Sequence, residues 1–285
     1  MDNPWLERRI LNYAHQGGAR EGPSSTMYAM RRAVDAGAHA LELDVHATAD
    51  RRLVVSHDAT VDRTTDGSGR IAELTWDELQ RLDNAYWWVP DHVVDHDAAD
   101  GAHLLRGRAP EDPSLRIASL GEVLDAFPGL FLNLDIKETA PDVEPYEALL
   151  GDQLRQFGRT DDVIVASFSD AAMASFAAHA PEISTAAATN ATAAFYFAVA
   201  QGEAPPPAPF HALQVPPAFG GVTVVDERFV DAAHAHGLAV HVWTIDEREE
   251  MEALLETGVD GIMTDRPSVL AELLRRRQAD AADRG

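Results

Sequence analysis

Two acidic residues two positions apart, Glu42 and Asp44, stand among Leu41, Leu43 and Val45. On a strand, residues i and i+2 share a face, so both carboxylates would project from one apolar wall. Unpaired, they would repel and raise each other's pKa. A hard divalent cation removes that conflict, because carboxylate oxygens suit magnesium, calcium or manganese. The competing reading is an ordinary solvated strand face. The segment Leu132–Lys137 repeats the pattern, with Asn133, Asp135 and Lys137 alternating with apolar residues. A third carboxylate and an ammonium group suit a site that holds a cation and an anion together. The alternative there is a buried Asp–Lys pair, which brings little net stability.

His15 is followed by Gln16, Gly17 and Gly18, and His57 by Asp58. Two glycines let a backbone approach a ligand closely and aim N–H groups at phosphate oxygens. Two histidines near a cation site meet the needs of phosphodiester cleavage. One removes a proton from the attacking oxygen while the other protonates the leaving alkoxide. A lone histidine is more often structural; the pair is the stronger signal.

These residues need elements that bring them to one place. Short apolar runs at Leu11–His15, Ala40–Thr48, Leu53–Ser56, Leu130–Ile136, Val163–Phe168, Ile183–Ala187, Ala212–Val215, Ala239–Ile245 and Gly261–Thr264 read as strands. Helix-length patterns lie between most of them, such as Thr26–Ala36 and Asp246–Glu256, with Gly37 and Gly258 placed to end each helix. Asp246 and Ser169 read as helix N-terminal signals. Repeated βα units imply a parallel sheet covered by helices. Nine strands are one too many for an eight-stranded barrel. Leu53–Ser56 is the surplus, because it follows Ala40–Thr48 at hairpin spacing and a parallel crossover needs a dozen or more residues. Its antiparallel return would set His57 beside Leu43 and Asp44.

The expected architecture is therefore an α/β TIM (β/α)8 barrel with an antiparallel hairpin and a large βα-loop insertion, about residues 58–128, on the face where active sites form. Residues 1–278 read as a single domain and 279–285 as a frayed tail. The 285 residues carry 23 Lys+Arg against 47 Asp+Glu, a net charge of −24 at pH 7, with 46% hydrophobic residues. That surface disfavours nucleic acid and anionic membranes. A small anionic ligand needs a local reversal of the field by a cation or placed basic groups. Cysteine is absent, which excludes thiolate chemistry and Cys-based metal sites. With neither a signal-peptide pattern nor a long apolar run, the expectation is a soluble, cytoplasmic protein whose oligomeric state the sequence leaves open.

Taken in order, His15-x-Gly17, Glu42-x-Asp44-Val45 and His57-Asp58 resemble the glycerophosphodiester phosphodiesterase family. So do Arg63-Thr64-Thr65-Asp66-Gly67-x-Gly69, Glu73-Leu74-Thr75, Arg116-Ile117 with Leu120 and Glu122, Val242–Ile245, and the run Gly258–Pro267. The likeness covers about residues 11 to 270. It implies a TIM-barrel hydrolase releasing sn-glycerol 3-phosphate and an alcohol, with one divalent cation and a small phosphodiester as substrate. By this resemblance His15 and His57 are the acid–base pair, and Glu42 and Asp44 are metal ligands. Asp135 takes the place of the family's third acidic ligand, usually glutamate, and Lys137 that of its pocket lysine. Trp243 matches an aromatic residue lining the cleft. A cyclic phosphate formed by attack of the glycerol hydroxyl is implied by family chemistry alone.

Three positions depart from the family pattern. Gln16 stands where His-Arg-Gly has an arginine that would contact phosphate, so Gln16 is a candidate substrate-binding residue. Pro23-Ser24-Ser25-Thr26 replaces Pro-Glu-Asn-Thr, and Asp135 is one methylene short of glutamate. Arg20 or Arg63 is expected to supply the missing charge. These departures keep open a lysophospholipase D-like action on lipids and a non-catalytic protein binding phosphorylated small molecules. Tyr86, Trp87 and Trp88 would grip a lipid tail or, more commonly, pack the insertion onto its barrel. His92 and His96 have a spacing usable by a transition metal, but on a loop-like stretch. His234 and His236 suit a helix C-terminus better than a ligand site.

Overall fold

The strands that carry the candidate site residues are neighbours in one parallel barrel wall. The computed structural model describes residues 3–6 and 10–282. In chain order the elements are β1 (Leu11–His15), α1 (Met27–Ala36), β2 (Ala40–Ala47), β3 (Leu53–Val55), α2 (Trp76–Leu79), α3 (Leu120–Ala126) and β4 (Phe131–Ile136). There follow α4 (Glu147–Gln156), β5 (Val163–Ala166), α5 (Asp170–His179), β6 (Ser184–Thr185), α6 (Thr189–Gln201) and β7 (Ala212–Val215). The chain continues through β8 (Ala218–Phe219), β9 (Val222–Thr223), α7 (Glu227–Ala235), β10 (Ala239–Val242), α8 (Arg248–Thr257), β11 (Gly261–Thr264) and α9 (Pro267–Ala282).

Eight parallel strands run in the order β6-β5-β4-β2-β1-β11-β10-β7. A parallel bridge between Ala186 and Ala212 joins the two ends, making the nearly closed barrel that the βα alternation predicted. The ninth predicted strand, β3, pairs antiparallel with β2, Val45 opposite Val55, so it is the hairpin return. The Ser56 N–H donates to the Asp44 carbonyl at 3.0 Å, and this brings the chain before His57 back to Asp44.

Register then places the chemistry. His15 lies opposite Glu42, Glu42 opposite Asn133, and Asp44 opposite Asp135. Because paired residues in a sheet point to the same side, these side chains share the barrel interior. At the other end of the barrel, Trp5 is fully buried among Leu11, Tyr13, Ala40 and Ala212. The Asn3 amide donates to the carbonyls of His211 (2.6 Å) and Gly237 (2.7 Å), which pins this N-terminal segment across the strand starts.

Local signals explain most helix ends. Thr26 accepts from the Ala29 N–H at 3.2 Å and Ser169 from Ala172 at 3.2 Å, capping α1 and α5. Asp246 does not cap α8, whose preceding residue Glu247 makes no side-chain cap. Asp246 instead accepts from the Thr264 hydroxyl (3.1 Å) and the Asp265 N–H (2.8 Å) and pairs with Arg20 (3.1 Å). Helix α9 extends to Ala282, so residues 279–282 are helical where a frayed tail was expected, and residues 283–285 lie outside the described residues.

Between β3 and α3 the insertion builds a small core of its own from Val61, Ile71 and Leu79 against Val54 and Ile117. The β8–β9 hairpin was not predicted. Phe219 pairs with Val222 across Gly220 (φ 58°) and Gly221 (φ 81°), a two-residue turn whose positive φ values glycine supplies without strain. Among the described residues, no helix is long and apolar enough to cross a membrane.

Candidate active site

His15, Glu42, Asp44, His57, Asn133, Asp135, Lys137 and Trp243 all line one cavity of about 720 Å³. It opens where β1, β2, β4 and β10 end, the carboxyl face on which barrel active sites form. The ring centroids of His15 and His57 are 6.3 Å apart with an interplanar angle of 76°.

Each histidine is held through Nδ1 by a carboxylate. His57 Nδ1 lies 2.6 Å from Asp58 Oδ1, and Arg63 in turn donates twice to Asp58. Burial works against ionisation of Asp58, yet the hydrogen bonds from His57 and Arg63 hold it well below the usual carboxylate range. His15 Nδ1 lies 2.7 Å from Asp265 Oδ1, a residue in the loop after β11. Burial alone would lower the His15 pKa; the bond to Asp265 and the charges of Glu42, Asp265 and Asp44 outweigh it and raise the value to about 9. A carboxylate on Nδ1 fixes the ring and directs Nε2 toward the substrate side.

The acidic cluster is strained electrostatically. Burial and the charge of Asp44 push Glu42 up to about 8. Burial, partly offset by Lys137 and reinforced by Asp44, pushes Asp135 up to about 6. Lys137 Nζ bridges Asp44 Oδ1 (2.8 Å) and Asp135 Oδ2 (3.1 Å), so the Asp–Lys pairing weighed against a metal site is present. Burial would lower Lys137, but Asp44 and Asp135 hold it raised. Asp44 Oδ2 and Asp135 Oδ1 are buried without a hydrogen-bond partner. Among the described residues, no set of three or more His, Asp or Glu side chains already surrounds a metal position. The fit to a hard cation is nevertheless good. Ionised, three carboxylates against one ammonium leave two negative charges, and two orphaned oxygens await a partner. Glu42, Asp44 and Asp135 would hold a divalent cation once Lys137 turned toward a bound phosphate.

The remaining predicted residues sit elsewhere. Gln16 does not line the cavity; it is buried, accepts from the Ser24 hydroxyl at 2.6 Å, and sets its amide nitrogen 3.3 Å from His15 Nε2. The two departures from the family motifs are thus in contact. Gln16 and Ser24 form a neutral, buried hydrogen-bonded pair. Arg20 and Arg63 are also absent from the cavity lining. Arg20 pairs with Asp246, and Arg63 serves Asp58. Gly17 (φ 83°) and Gly18 (φ 87°) line no ligand space either: a Cβ on Gly18 would lie 2.9 Å from Pro267, so close packing explains that glycine.

Trp88 is buried with its indole N–H on the Ala19 carbonyl (3.0 Å), and Trp87 stacks on His96 at 4.4 Å. The aromatic triplet packs the insertion and stays out of the cavity. His236 Nδ1 meets the Ala232 carbonyl (2.8 Å), as a C-terminal cap does, while His234 pairs with Asp260 (2.8 Å). Asp265 was missed by sequence reasoning. Its only signal was its place in the quoted run Gly258–Pro267, 250 residues from the histidine it holds.

The glycerophosphoryl diester phosphodiesterase family model matches residues 15–269. A glycerophosphodiester phosphodiesterase of Caldanaerobacter subterraneus is 29% identical over 272 residues, covering 94% of this chain and 99% of that protein. One of Bacillus subtilis is 27% identical, covering 92% and 85%. Among solved structures, the glycerophosphoryl diester phosphodiesterase domain of a Mycobacterium tuberculosis protein superposes with a TM-score of 0.76 at 20% identity, covering 93% of this chain and 99% of that one. An Oleispira antarctica phosphodiesterase in complex with the product sn-glycerol-3-phosphate superposes with a TM-score of 0.66 at 20% identity, covering 94% and 97%. At these identities the superpositions speak for the barrel fold. The family model, by contrast, spans nearly the whole barrel, from His15 to Val269, and this chain belongs to the glycerophosphoryl diester phosphodiesterase family.

Proposed function

We propose that this protein hydrolyses glycerophosphodiesters to sn-glycerol 3-phosphate and an alcohol, with His15 and His57 as the acid–base pair. The observation that carries this reading is the pairing of two carboxylate-held histidines, ring centroids 6.3 Å apart, over one cluster of Glu42, Asp44, Asp135 and Lys137. A protein that only binds a phosphate has no use for two oriented proton-transfer groups.

One imidazole takes the proton of the attacking oxygen, and the other gives a proton to the departing alkoxide. Asp265 and Asp58 keep both rings in the orientation that this exchange requires. Among the described residues, Lys137 is the one lysine or arginine lining the cavity, which suits it to a non-bridging phosphoryl oxygen. Glu42, Asp44 and Asp135 are the proposed ligands of one magnesium, calcium or manganese ion. Bound there, such a cation would neutralise phosphoryl charge and lower the pKa of the attacking hydroxyl.

The test is release of glycerol 3-phosphate from glycerophosphocholine in the presence of each metal in turn. Turnover is expected; EDTA should abolish it, and His15→Ala should lower it about a hundred- to ten-thousandfold. No turnover across a panel of diesters with all three metals would overturn the hydrolase reading in favour of a binding protein.

A further inference from the structure

The cavity continues well past the catalytic groups. Five large apolar side chains are strongly exposed among the described residues: Leu104, Phe168, Phe197, Phe219 and Val222. Four of the five, all but Leu104, line this one cavity. Single exposed apolar residues are ordinary, but their gathering at one mouth marks a binding surface. Phe219 is 77% exposed and directly opposite Val222, 51% exposed, on the β8–β9 hairpin. Phe197 stands on α6, whose Tyr196 hydroxyl reaches the Thr223 carbonyl of that hairpin at 3.4 Å.

The apolar wall is continuous with the reaction centre. Lys137 Nζ lies 5.9 Å above the Phe168 ring, and Phe168 packs edge-on to Trp243 at 5.8 Å. Every charged lining residue sits at the catalytic end, as does Gln214, whose amide donates to Asn133 at 2.7 Å; the rest of the lining from Phe168 on is aromatic and aliphatic apart from threonine hydroxyls and the Tyr196 hydroxyl. The Thr189 hydroxyl is already spent on the Phe168 carbonyl at 2.8 Å. A sugar or amino alcohol would lose water there and find few partners. An apolar chain would lose nothing.

We infer that this groove takes a hydrocarbon arm of the phosphodiester substrate, so that the preferred substrates are diesters carrying a long apolar chain. The inference rests on the hydrolase reading above and specifies its substrate class. The chain can belong to either side of the phosphate: an acyl group on the glycerol, as in a lysophospholipid, or a long-chain alcohol as the leaving group. A second copy of this protein seated on the groove is the competing occupant, and an aromatic cage for a choline head is the competing chemistry.

Two homologous series separate these cases, both kept below micelle formation. One carries n-alkanoyl chains on the glycerol of glycerophosphocholine; the other is glycerol 3-phosphate esterified with n-alkanols, from butyl to octyl. In the series whose chain lies in the groove, kcat/KM should rise about two- to fourfold per methylene, the upper figure corresponding to ~0.8 kcal/mol per buried CH2. The octyl-to-butyl ratio should fall toward one in Phe197→Ser and Phe219→Ser. Those positions are solvent-exposed, and circular dichroism checks that both variants fold. Flat behaviour in both series, a choline ester outperforming alkyl esters of equal length, or a slope retained in the Phe197→Ser/Phe219→Ser double variant would each overturn the inference. So would a dimer in sedimentation that the double variant converts to monomer.

Binding of n-alkyl glycerophosphates to His15→Ala, followed by calorimetry, keeps the two readings apart. Affinity that grows with chain length in a protein without turnover on any diester would leave the groove standing and remove the hydrolase reading. Turnover of glycerophosphocholine with chain-independent affinity would do the reverse.

Discussion

Replacing Asp265 by asparagine should lower kcat/KM for glycerophosphocholine by about ten- to a hundredfold. The magnitude follows from a single contact, His15 Nδ1 to Asp265 Oδ1 at 2.7 Å. Both side chains are largely buried, and the Asp265 backbone is itself fixed, because its N–H donates to Asp246 at 2.8 Å. A hydrogen bond to a charged group contributes about 1.5–3 kcal/mol, and this one is needed where the imidazole carries charge in the transition state. At 1.36 kcal/mol per factor of ten, that range gives the stated loss. Asparagine keeps an acceptor near Nδ1 and removes the charge, so alanine, which removes both, should cost more. The assay is steady-state release of glycerol 3-phosphate by wild type, Asp265→Asn, Asp265→Ala, His15→Ala and the His15→Ala/Asp265→Asn pair. If Asp265 acts through His15, the double variant should match His15→Ala within about twofold. A full additional loss in the double variant, or an Asp265→Asn enzyme within twofold of wild type, would refute the reasoning.

Four further outcomes are expected. Gln16→Arg should lower Tm, because the Ser24 hydroxyl that bonds to Gln16 offers a buried guanidinium no carboxylate, and adding Ser24→Glu should restore most of the loss, the two side chains being 2.6 Å apart; a double variant no more stable than the single one would disprove the pairing. Lys137→Met removes the ammonium that sits 2.8 and 3.1 Å from Asp44 and Asp135, so manganese should bind more tightly by calorimetry while KM rises; unchanged metal affinity would mean that Lys137 and the cation do not compete. Trp5→Ala empties a fully buried indole site and should cost about 3–5 kcal/mol in denaturant unfolding; a loss under 1 kcal/mol would show that the N-terminal segment does not close the barrel. His241 is fully buried, and burial pushes its pKa from 6.5 down to about 3. The unfolded chain thus takes up a proton that the folded one refuses, so the His241 contribution to stability is constant above about pH 6.5 and falls by about 1.4 kcal/mol per pH unit below it, toward pH 3. His241→Gln should flatten that slope between about pH 6.5 and pH 5, and parallel slopes in the two proteins would rule the assignment out.

What was legible in the sequence is what strand periodicity encodes. Glu42 with Asp44 and Asn133 with Asp135 announce a shared face because alternation is a property of each strand alone. The position of His57 was legible because a five-residue spacing between β2 and β3 leaves no choice but a hairpin. Contacts between residues remote in sequence have no such local signature. Asp246 looked like the N-cap of α8 because aspartate before a helix usually is one, yet the carboxylate is claimed by Thr264, Asp265 and Arg20. Gln16 looked like a lost phosphate contact, and only the fold reveals that Ser24 is its partner. The two positions are not independent: Gln16 and Ser24 form one neutral, buried hydrogen-bonded pair beside His15. Lys137 is the one lysine or arginine among the described residues lining the cavity, and the Gly220-Gly221 hairpin adds apolar surface to the same cavity. That hairpin did have a local signature, a Gly-Gly pair between Phe219 and Val222, the pattern of a tight two-residue turn. If the groove takes the substrate's hydrocarbon arm, recognition of the uncharged part of the substrate depends on a short hairpin that belongs to none of the motifs carrying the catalytic residues.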